Sequence, residues 1–165
     1  MATRSVVFDL MFVRALAQEA LGQRSDLHDF LVGLISRLDR PVVIGGKSTT
    51  LRVVVPYHAE KHVVRVLRRD YAVEEAEAAA ATSSAIHRLA GTSGLVAKPP
   101  RCENSWSPYN TGAEDHKVLQ TARDEGATLL TADKNLRRWA FRENIPAFAP
   151  GRFLELVEPD LCLTS

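Results

Sequence analysis

Residues 114–133 read E-D-H-K-V-L-Q-T-A-R-D-E-G-A-T-L-L-T-A-D, and their pattern indicates the class of fold. Apolar residues recur at helical spacing in its first half, and Gly126 ends the helix that they predict. Thr128 to Leu130 then form a short apolar run typical of a buried strand. Asp115 therefore opens a helix and Asp133 directly follows a strand. A helix that leads back into a buried strand indicates a parallel α/β sheet.

The same alternation extends outward to both ends of the chain. Val6 to Phe8 predict a first buried strand, and Asp9 follows it directly. Leu51 to Val55 fit either a strand or the start of a helix, and Pro56 argues against a helix that runs through. Other predicted helices cover 12–21, 27–38, 57–69, 73–90, 135–143 and 153–157, with strands at 42–44, 95–97 and 146–148. We expect an α/β fold, a single three-layer domain over 1–157 with a largely parallel central sheet and helices on both faces, and a C-terminal tail over 158–165.

Composition bounds the class of protein. A chain of 165 residues with 45% hydrophobic and 25% charged residues is an ordinary globular domain. The net charge of +1 gives no strong overall field, so affinity for nucleic acid must come from a local basic patch. The start of the chain does not resemble a signal peptide, and no apolar run approaches the ~18 residues of a membrane span. Cys102 and Cys162 show no zinc-site spacing, and we expect two free thiols in a reducing cytoplasm, although a disulfide between them stays open.

Three aspartates point to a shared acidic site. Asp9, Asp115 and Asp133 lie at ends of strands or helices that a parallel sheet brings to one edge, where sites form. Carboxylates gathered there repel each other unless a cation lies among them. Each also has a purely structural interpretation, because an aspartate caps a helix or favours its positive end. Taken together, the three predict a metal-dependent enzyme.

At these residues the sequence resembles the PIN domain family, the α/β nuclease fold of toxins such as VapC and of RNA-processing nucleases. The resemblance rests on V-V-F-D at 6–9, E-D-H-K-V-L-Q-T-A-R-D-E-G-A at 114–127 and L-L-T-A-D-K-N-L at 129–136. The ending I-P-A-F-A-P-G-R-F-L also resembles the last strand and helix of the family. By motif, Asp9, Asp115 and Asp133 fall on the family's acidic positions, and Thr131 on its threonine before the last acid.

The sequence departs from the family in two places. Leu10 and Met11 follow Asp9 where the family has small polar residues. The family also has an acid about five residues past its second strand. If that strand is 42–44, the acid would be expected between Thr49 and Val53, and no acid occurs there. If it is 52–55, Glu60 lies at the right distance, and we favour Glu60.

The resemblance implies a metal-dependent endoribonuclease. Its catalytic and metal-binding residues would be Asp9, Glu60, Asp115 and Asp133, holding Mg²⁺ or Mn²⁺, hard cations that prefer carboxylate oxygen. The substrate would be RNA. The toxin of a toxin–antitoxin pair is one form of this function, with a small antitoxin protein as partner and a homodimer among the open oligomeric states.

Two other functions stay open. The departures at Leu10-Met11 and at the fourth acid favour a PIN-like RNA- or protein-binding module that no longer cuts. A phosphatase of the haloacid dehalogenase type would need an aspartate at Met11, and ranks third. Gly45-Gly46-Lys47-Ser48 lacks the spacing of a phosphate loop and predicts a turn.

Basic and aromatic residues suggest where RNA would lie. The candidate cations fall on two helices, and Trp106 and Tyr109 in the loop before Asp115 could stack on a base or anchor that loop. Alternatively, these cations are simply solvated residues on the outer faces of the two helices. The candidate cations are Lys61, Arg65, Arg68 and Arg69 on the first helix and Lys134, Arg137, Arg138 and Arg142 on the second.

Overall fold

The structure, a computed structural model, describes residues 2–38, 40–91, 95–96 and 113–159. Strands and helices alternate along most of it. The strands are β1 (Ala2–Phe8), β2 (Val42–Ile44), β3 (Lys47–Val55), β4 (Leu95–Val96), β5 (Thr128–Leu130), β6 (Ala147–Phe148) and β7 (Glu158–Pro159). The helices are α1 (Leu10–Ala20), α2 (His28–Leu38), α3 (Ala59–Tyr71), α4 (Glu75–Ala90), α5 (Ala113–Asp124), α6 (Lys134–Arg142) and α7 (Pro150–Leu156).

The strands form one mixed sheet with the order β6-β5-β1-β3-β2-β7, in which β4 also pairs with β3. The pairings β1–β3, β1–β5, β3–β4 and β5–β6 are parallel. Only the pairings that involve β2, with β3 and with β7, are antiparallel among the described strands. The predicted α/β fold with a largely parallel sheet is therefore confirmed.

Burial along the central strands shows that helices cover both faces of the sheet. Side chains alternate between the two faces of a strand, yet Val6, Val7 and Phe8 are all buried, as are Val53 to Val55. All of β5 is buried as well. The helices α1, α3 and α4 pack against one another, and α5 contacts α6 as well as β1 and β5. Asp9 and Thr131 directly follow the buried strands β1 and β5, so polar side chains begin at the carboxyl ends of these two strands.

Parallel neighbours place those two strand ends side by side. Phe8 pairs with Leu130 at the ends of β1 and β5, and the Asp9 amide donates to the Leu130 carbonyl at 2.9 Å. The chain positions just past both strands therefore lie next to each other.

The ambiguous stretch around residue 51 is part of the long strand β3, which begins at Lys47. Its pairing with both β1 and β2 outweighs the helical interpretation. Gly45 and Gly46 form the turn of the β2–β3 hairpin with φ of 57° and 75°, conformations that glycine adopts without strain. The run that resembles a phosphate loop is therefore a hairpin turn.

Several sequence predictions lie outside the described residues, namely those on Cys102, Trp106, Tyr109 and Cys162. The first two residues of the predicted tail, Glu158 and Pro159, pair with β2, so the sheet extends into the segment assigned to the tail. No helix in the described part of the chain is long and apolar enough to cross a membrane.

Candidate acidic site

Asp9 and Asp133 meet through the side chain of Thr131. The Thr131 hydroxyl donates to Asp9 Oδ2 at 2.6 Å and accepts from the Asp133 amide at 3.1 Å. Thr131 is fully buried directly after β5, so its position is fixed by the core. The hydrogen bonds tie together two acids that lie far apart in the sequence.

Both aspartates also cap helices, as the structural interpretation of the sequence predicted. Asp9 Oδ1 accepts from the Leu10 amide at 2.7 Å at the start of α1. Asp133 Oδ1 accepts from the amides of Asn135 at 2.8 Å and Leu136 at 3.3 Å at the start of α6. Capping uses one oxygen of Asp133 and leaves Oδ2 without a hydrogen bond to any described residue. A capping role and a site role are thus compatible in one carboxylate.

Electrostatics place Asp115 beside these two carboxylates. Burial, followed by the negative charges of Asp9, Asp133 and Glu114, raises the pKa of Asp115 to about 6. Burial also raises the pKa of Asp9, with a smaller contribution from Asp133, while the hydrogen bonds from Thr131 and Leu10 act in the opposite direction. The charges of Asp9 and Asp133 both contribute to the raised pKa of Asp115, which indicates that Asp115 lies near these two carboxylates.

A second group of polar side chains adjoins the aspartates. His58 Nε2 lies 3.1 Å and His62 Nδ1 lies 3.6 Å from Glu114 Oε2, and Lys117 Nζ lies 4.0 Å from Glu114 Oε1. Burial lowers the pKa of His58 to about 4, against the opposing charge of Glu114, so its imidazole is neutral at pH 7. The contact between His58 and Glu114 is therefore not an ion pair at that pH.

The three heteroatoms at the centre of this group are buried without a hydrogen bond. They are His58 Nε2, His62 Nδ1 and Glu114 Oε2, which are close but do not meet hydrogen-bond geometry. Buried polar atoms without partners are uncommon and costly. His62 also acts electrostatically on Asp9, which connects this group to the aspartates.

Glu60, the predicted fourth acid, lies elsewhere. It is exposed in the first turn of α3 and lines a groove together with Tyr57, Lys61 and Arg65. Neither Asp9 nor Asp115 owes any of its pKa shift to Glu60. His58, the N-cap of α3, and His62 in its first turn lie toward Glu114 instead, and His62 also acts electrostatically on Asp9.

The arrangement does not form a complete ligand set as it stands. Within the described ranges, no three His, Cys, Asp or Glu side chains are placed so that they could hold one metal ion. The donor types are nevertheless those that a divalent cation binds: carboxylate oxygens, with imidazole nitrogens beside them.

His58 and His62 are the residues that the sequence interpretation missed. The signal was present, because H-A-E-K-H at 58–62 places two histidines one helical turn apart on the same face of α3. Glu60, the acid at the position that the resemblance indicates, lies between these two histidines in the sequence. The helix phase, fixed by the buried Ala59, Val63 and Leu67, turns Glu60 outward.

Comparisons with known proteins add little to this geometry. No protein-family model matches the sequence, and no curated protein matches it. The chain is similar to a chain in the solved structure of FitAB bound to an IR36 DNA fragment. The two share 15% sequence identity with a TM-score of 0.48, over 88% of this chain and 94% of that one. The assignment of the α/β fold rests on the strand order and pairing described above.

Proposed function

We propose that this protein is a metal-dependent endoribonuclease of the PIN-domain type. The observation that carries the proposal is the placement of Asp9 and Asp133 on the two sides of the buried Thr131 hydroxyl, which hydrogen-bonds both residues. Asp115 lies near enough for the charges of both aspartates to contribute to its raised pKa. Neighbouring carboxylates repel one another when all are ionised, and a divalent cation among them removes that repulsion.

The site's own groups would divide the work as follows. Asp9, Asp115 and Asp133 would supply the oxygens that hold Mg²⁺ or Mn²⁺. Thr131 fixes the orientation of Asp9, and its own burial keeps that orientation rigid. When bound, the cation orients the attacking water and neutralises charge on the phosphate. The orphaned atoms of His58, His62 and Glu114 leave further donors beside the carboxylates.

The test compares two acid-to-amide substitutions. Asp133→Asn removes a charge but retains Oδ1 as the helix cap, so the fold should be kept. Its cleavage of RNA should fall by about 100-fold or more, because charge neutralisation at a metal site contributes several kcal/mol. Glu60→Gln makes the same chemical change outside the aspartate group, and its cleavage should stay within about threefold of wild type.

The measurement is cleavage of a labelled RNA with Mn²⁺ or with EDTA, with circular dichroism to check folding. Cleavage by the wild-type protein should stop in EDTA. Metal-dependent cleavage that survives Asp133→Asn would contradict the assignment of the site. A larger loss in Glu60→Gln than in Asp133→Asn would restore Glu60 as the catalytic acid.

A second candidate is a PIN-like module that binds RNA or protein without cutting. Two observations favour it: no complete ligand set exists among the described side chains, and Glu60 lies away from the aspartates. RNA binding by the wild-type protein without cleavage under any tested divalent cation would select this candidate. A toxin role with a small antitoxin protein is a form of the first candidate and needs its own partner experiment.

A further inference from the structure

Helix α6 has an unusual charge and begins directly at the acidic site. Its nine residues, K-N-L-R-R-W-A-F-R, contain four cations and no acid, and Asp133 is its N-cap. Leu136 and Ala140 are buried and attach the helix to the core. The opposite face is therefore turned to solvent, next to an aspartate of the site.

The exposed face combines two cations with one aromatic ring. Lys134, Arg138 and Phe141 follow each other at spacings of i+4 and i+3, which places them side by side. Phe141 is 81% exposed, the highest value among the exposed large hydrophobic residues of the described chain. Lys134 and Arg138 are exposed and form no ion pair with any described residue. Two solvated cations beside an exposed ring offer a phosphate contact and a stacking contact on the same helix face.

Not all cations of α6 belong to this face. Arg137 donates to the Thr131 carbonyl at 2.7 Å and is half-buried, so its role is to hold the start of α6 against β5. That bond also fixes Asp133 relative to Lys134, Arg138 and Phe141. These three side chains are therefore held at a fixed position next to the acidic site.

We propose that Lys134, Arg138 and Phe141 form a binding surface for single-stranded RNA that leads away from the acidic site. The polymer is taken from the proposed function, on which this inference rests. The cations would bind successive phosphates, and Phe141 would stack on a base. From Lys134 to Phe141 the helix rises about 10 Å, the length of about three stacked nucleotides.

Charge and shape favour RNA over an anionic membrane as the occupant. An interfacial helix must bury a broad apolar face in the lipid. Here Leu136 and Ala140 are already in the core, and one ring is all that the exposed face offers. One ring flanked by cations suits a stacked base between phosphates.

The experiment measures binding without cleavage. A fluorescein-labelled single-stranded 12-mer RNA is titrated with the full chain in EDTA at several salt concentrations, and affinity is read from anisotropy. The double variant Lys134→Gln/Arg138→Gln should bind more weakly, and its slope of log K against log salt should be shallower by about 1.4, since each lost phosphate contact removes about 0.7.

The aromatic contact has a different signature. Phe141→Leu should weaken binding by about 5- to 100-fold with an unchanged salt slope, because stacking releases no counterions. Phe141→Tyr should bind like wild type. The matched controls are Lys47→Gln and Tyr57→Leu, and neither should change affinity. Lys47 is an exposed cation at the start of β3 with no ion pair among the described residues, and Tyr57 is a 56% exposed ring before α3.

Several outcomes would overturn the surface. One is that the wild-type protein does not bind RNA, and another is that the control variants lose as much affinity as the test variants. A third is that the protein binds anionic lipid vesicles tightly but not RNA, and that Phe141→Leu abolishes the lipid binding. Failure of the proposed function would give a different result. RNA binding would depend on Lys134, Arg138 and Phe141, but no divalent cation would produce cleavage. Cleavage that Asp133→Asn abolishes, with binding insensitive to changes in these three residues, would keep the function and reject the surface.

Discussion

Asp115 has the most strongly perturbed carboxyl group of the three aspartates. Its environment combines burial with three neighbouring negative charges, and the pKa rises to about 6. Asp9 has a raised pKa for the same leading reason, but hydrogen bonds from Thr131 and Leu10 limit the rise. The surroundings of Asp9 and Asp115 thus disfavour the charged form of each carboxyl group in the absence of a cation.

The raised pKa of Asp115 predicts a pH dependence of stability. An unfolded aspartate has a pKa of about 3.9, so the folded state binds the proton more tightly. Ionising Asp115 therefore destabilises the metal-free protein, beginning above pH about 4 and reaching its full extent above about 6. Asp115→Asn cannot ionise at this position and so does not lose this stability. The melting temperature of the variant should therefore exceed that of wild type by an amount that grows from pH 4 to pH 7.

Thermal unfolding in EDTA at pH 4, 5, 6 and 7 measures this gain. Asp29→Asn is the control, because that side chain is 95% exposed, and its difference from wild type should not grow with pH in this way. Parallel profiles for Asp115→Asn and wild type would show that Asp115 does not carry the electrostatic cost. Some loss above pH 4 should remain in the variant, because the pKa of Asp9 is also raised.

At the scale of single elements, α3 shows how helix phase assigns roles. Ala59, Val63 and Leu67 are buried and define the inward face. His58 and His62 flank that face toward α5, whereas Glu60 and Lys61 point to the groove on the other side. The same helix ends at Ala72, whose amide bonds the Arg68 carbonyl at 3.1 Å in the left-handed conformation, with φ of 52°.

The end of α3 predicts a stabilising substitution. A non-glycine residue in the left-handed region is strained, and glycine is the usual residue there. Ala72→Gly should raise the free energy of unfolding by about 0.5–1 kcal/mol. Ala80→Gly, the same change at an exposed position inside α4, should lower it by about 1 kcal/mol.

Urea unfolding of the two variants gives the comparison. Opposite signs would confirm that conformation, not the loss of a methyl group, determines the effect. If Ala72→Gly were as destabilising as Ala80→Gly, α3 would not end in the left-handed conformation at this residue.

At the scale of the whole molecule, three distant segments supply the acidic site. Asp9 follows β1, Asp133 follows β5 and Asp115 lies in the first turn of α5. Parallel pairing of β1 with β5 fixes the first two, and packing of α5 against both strands fixes the third. Because the fold holds like charges together, a ligand that neutralises them should stabilise the whole domain.

This coupling predicts that Mn²⁺ raises the melting temperature. A cation that binds only the folded state contributes about 2.7 kcal/mol at 100 times its dissociation constant. Asp9→Asn should lose most of that gain, and Glu60→Gln should retain it. Thermal unfolding at millimolar Mn²⁺ and in EDTA measures both, and an absent shift in wild type would argue against a metal site among these aspartates.

The amino-acid sequence alone predicted the α/β class, most of the elements, and Asp9, Asp115 and Asp133 as acids at one edge of the sheet. It did not predict β7, which lies in the segment assigned to the tail. The predicted features follow from local apolar periodicity and from chain positions just past strands, which need no knowledge of distant contacts. The strand over 47–55 was ambiguous, because its pairing partners β1, β2 and β4 are not local in sequence.

Only the tertiary structure decided which side of α3 faces the acids. The sequence run 58–62 offers His58, Glu60 and His62, and the packing of α3 determines which of them are turned toward α5. Likewise, the sequence does not show which cations of α6 are used inside the domain. Arg137 donates to the Thr131 carbonyl, whereas Lys134 and Arg138 form no ion pair within the described chain. Local sequence sets where a helix forms, but burial against the rest of the domain sets its rotation, and that rotation selects the functional side chains.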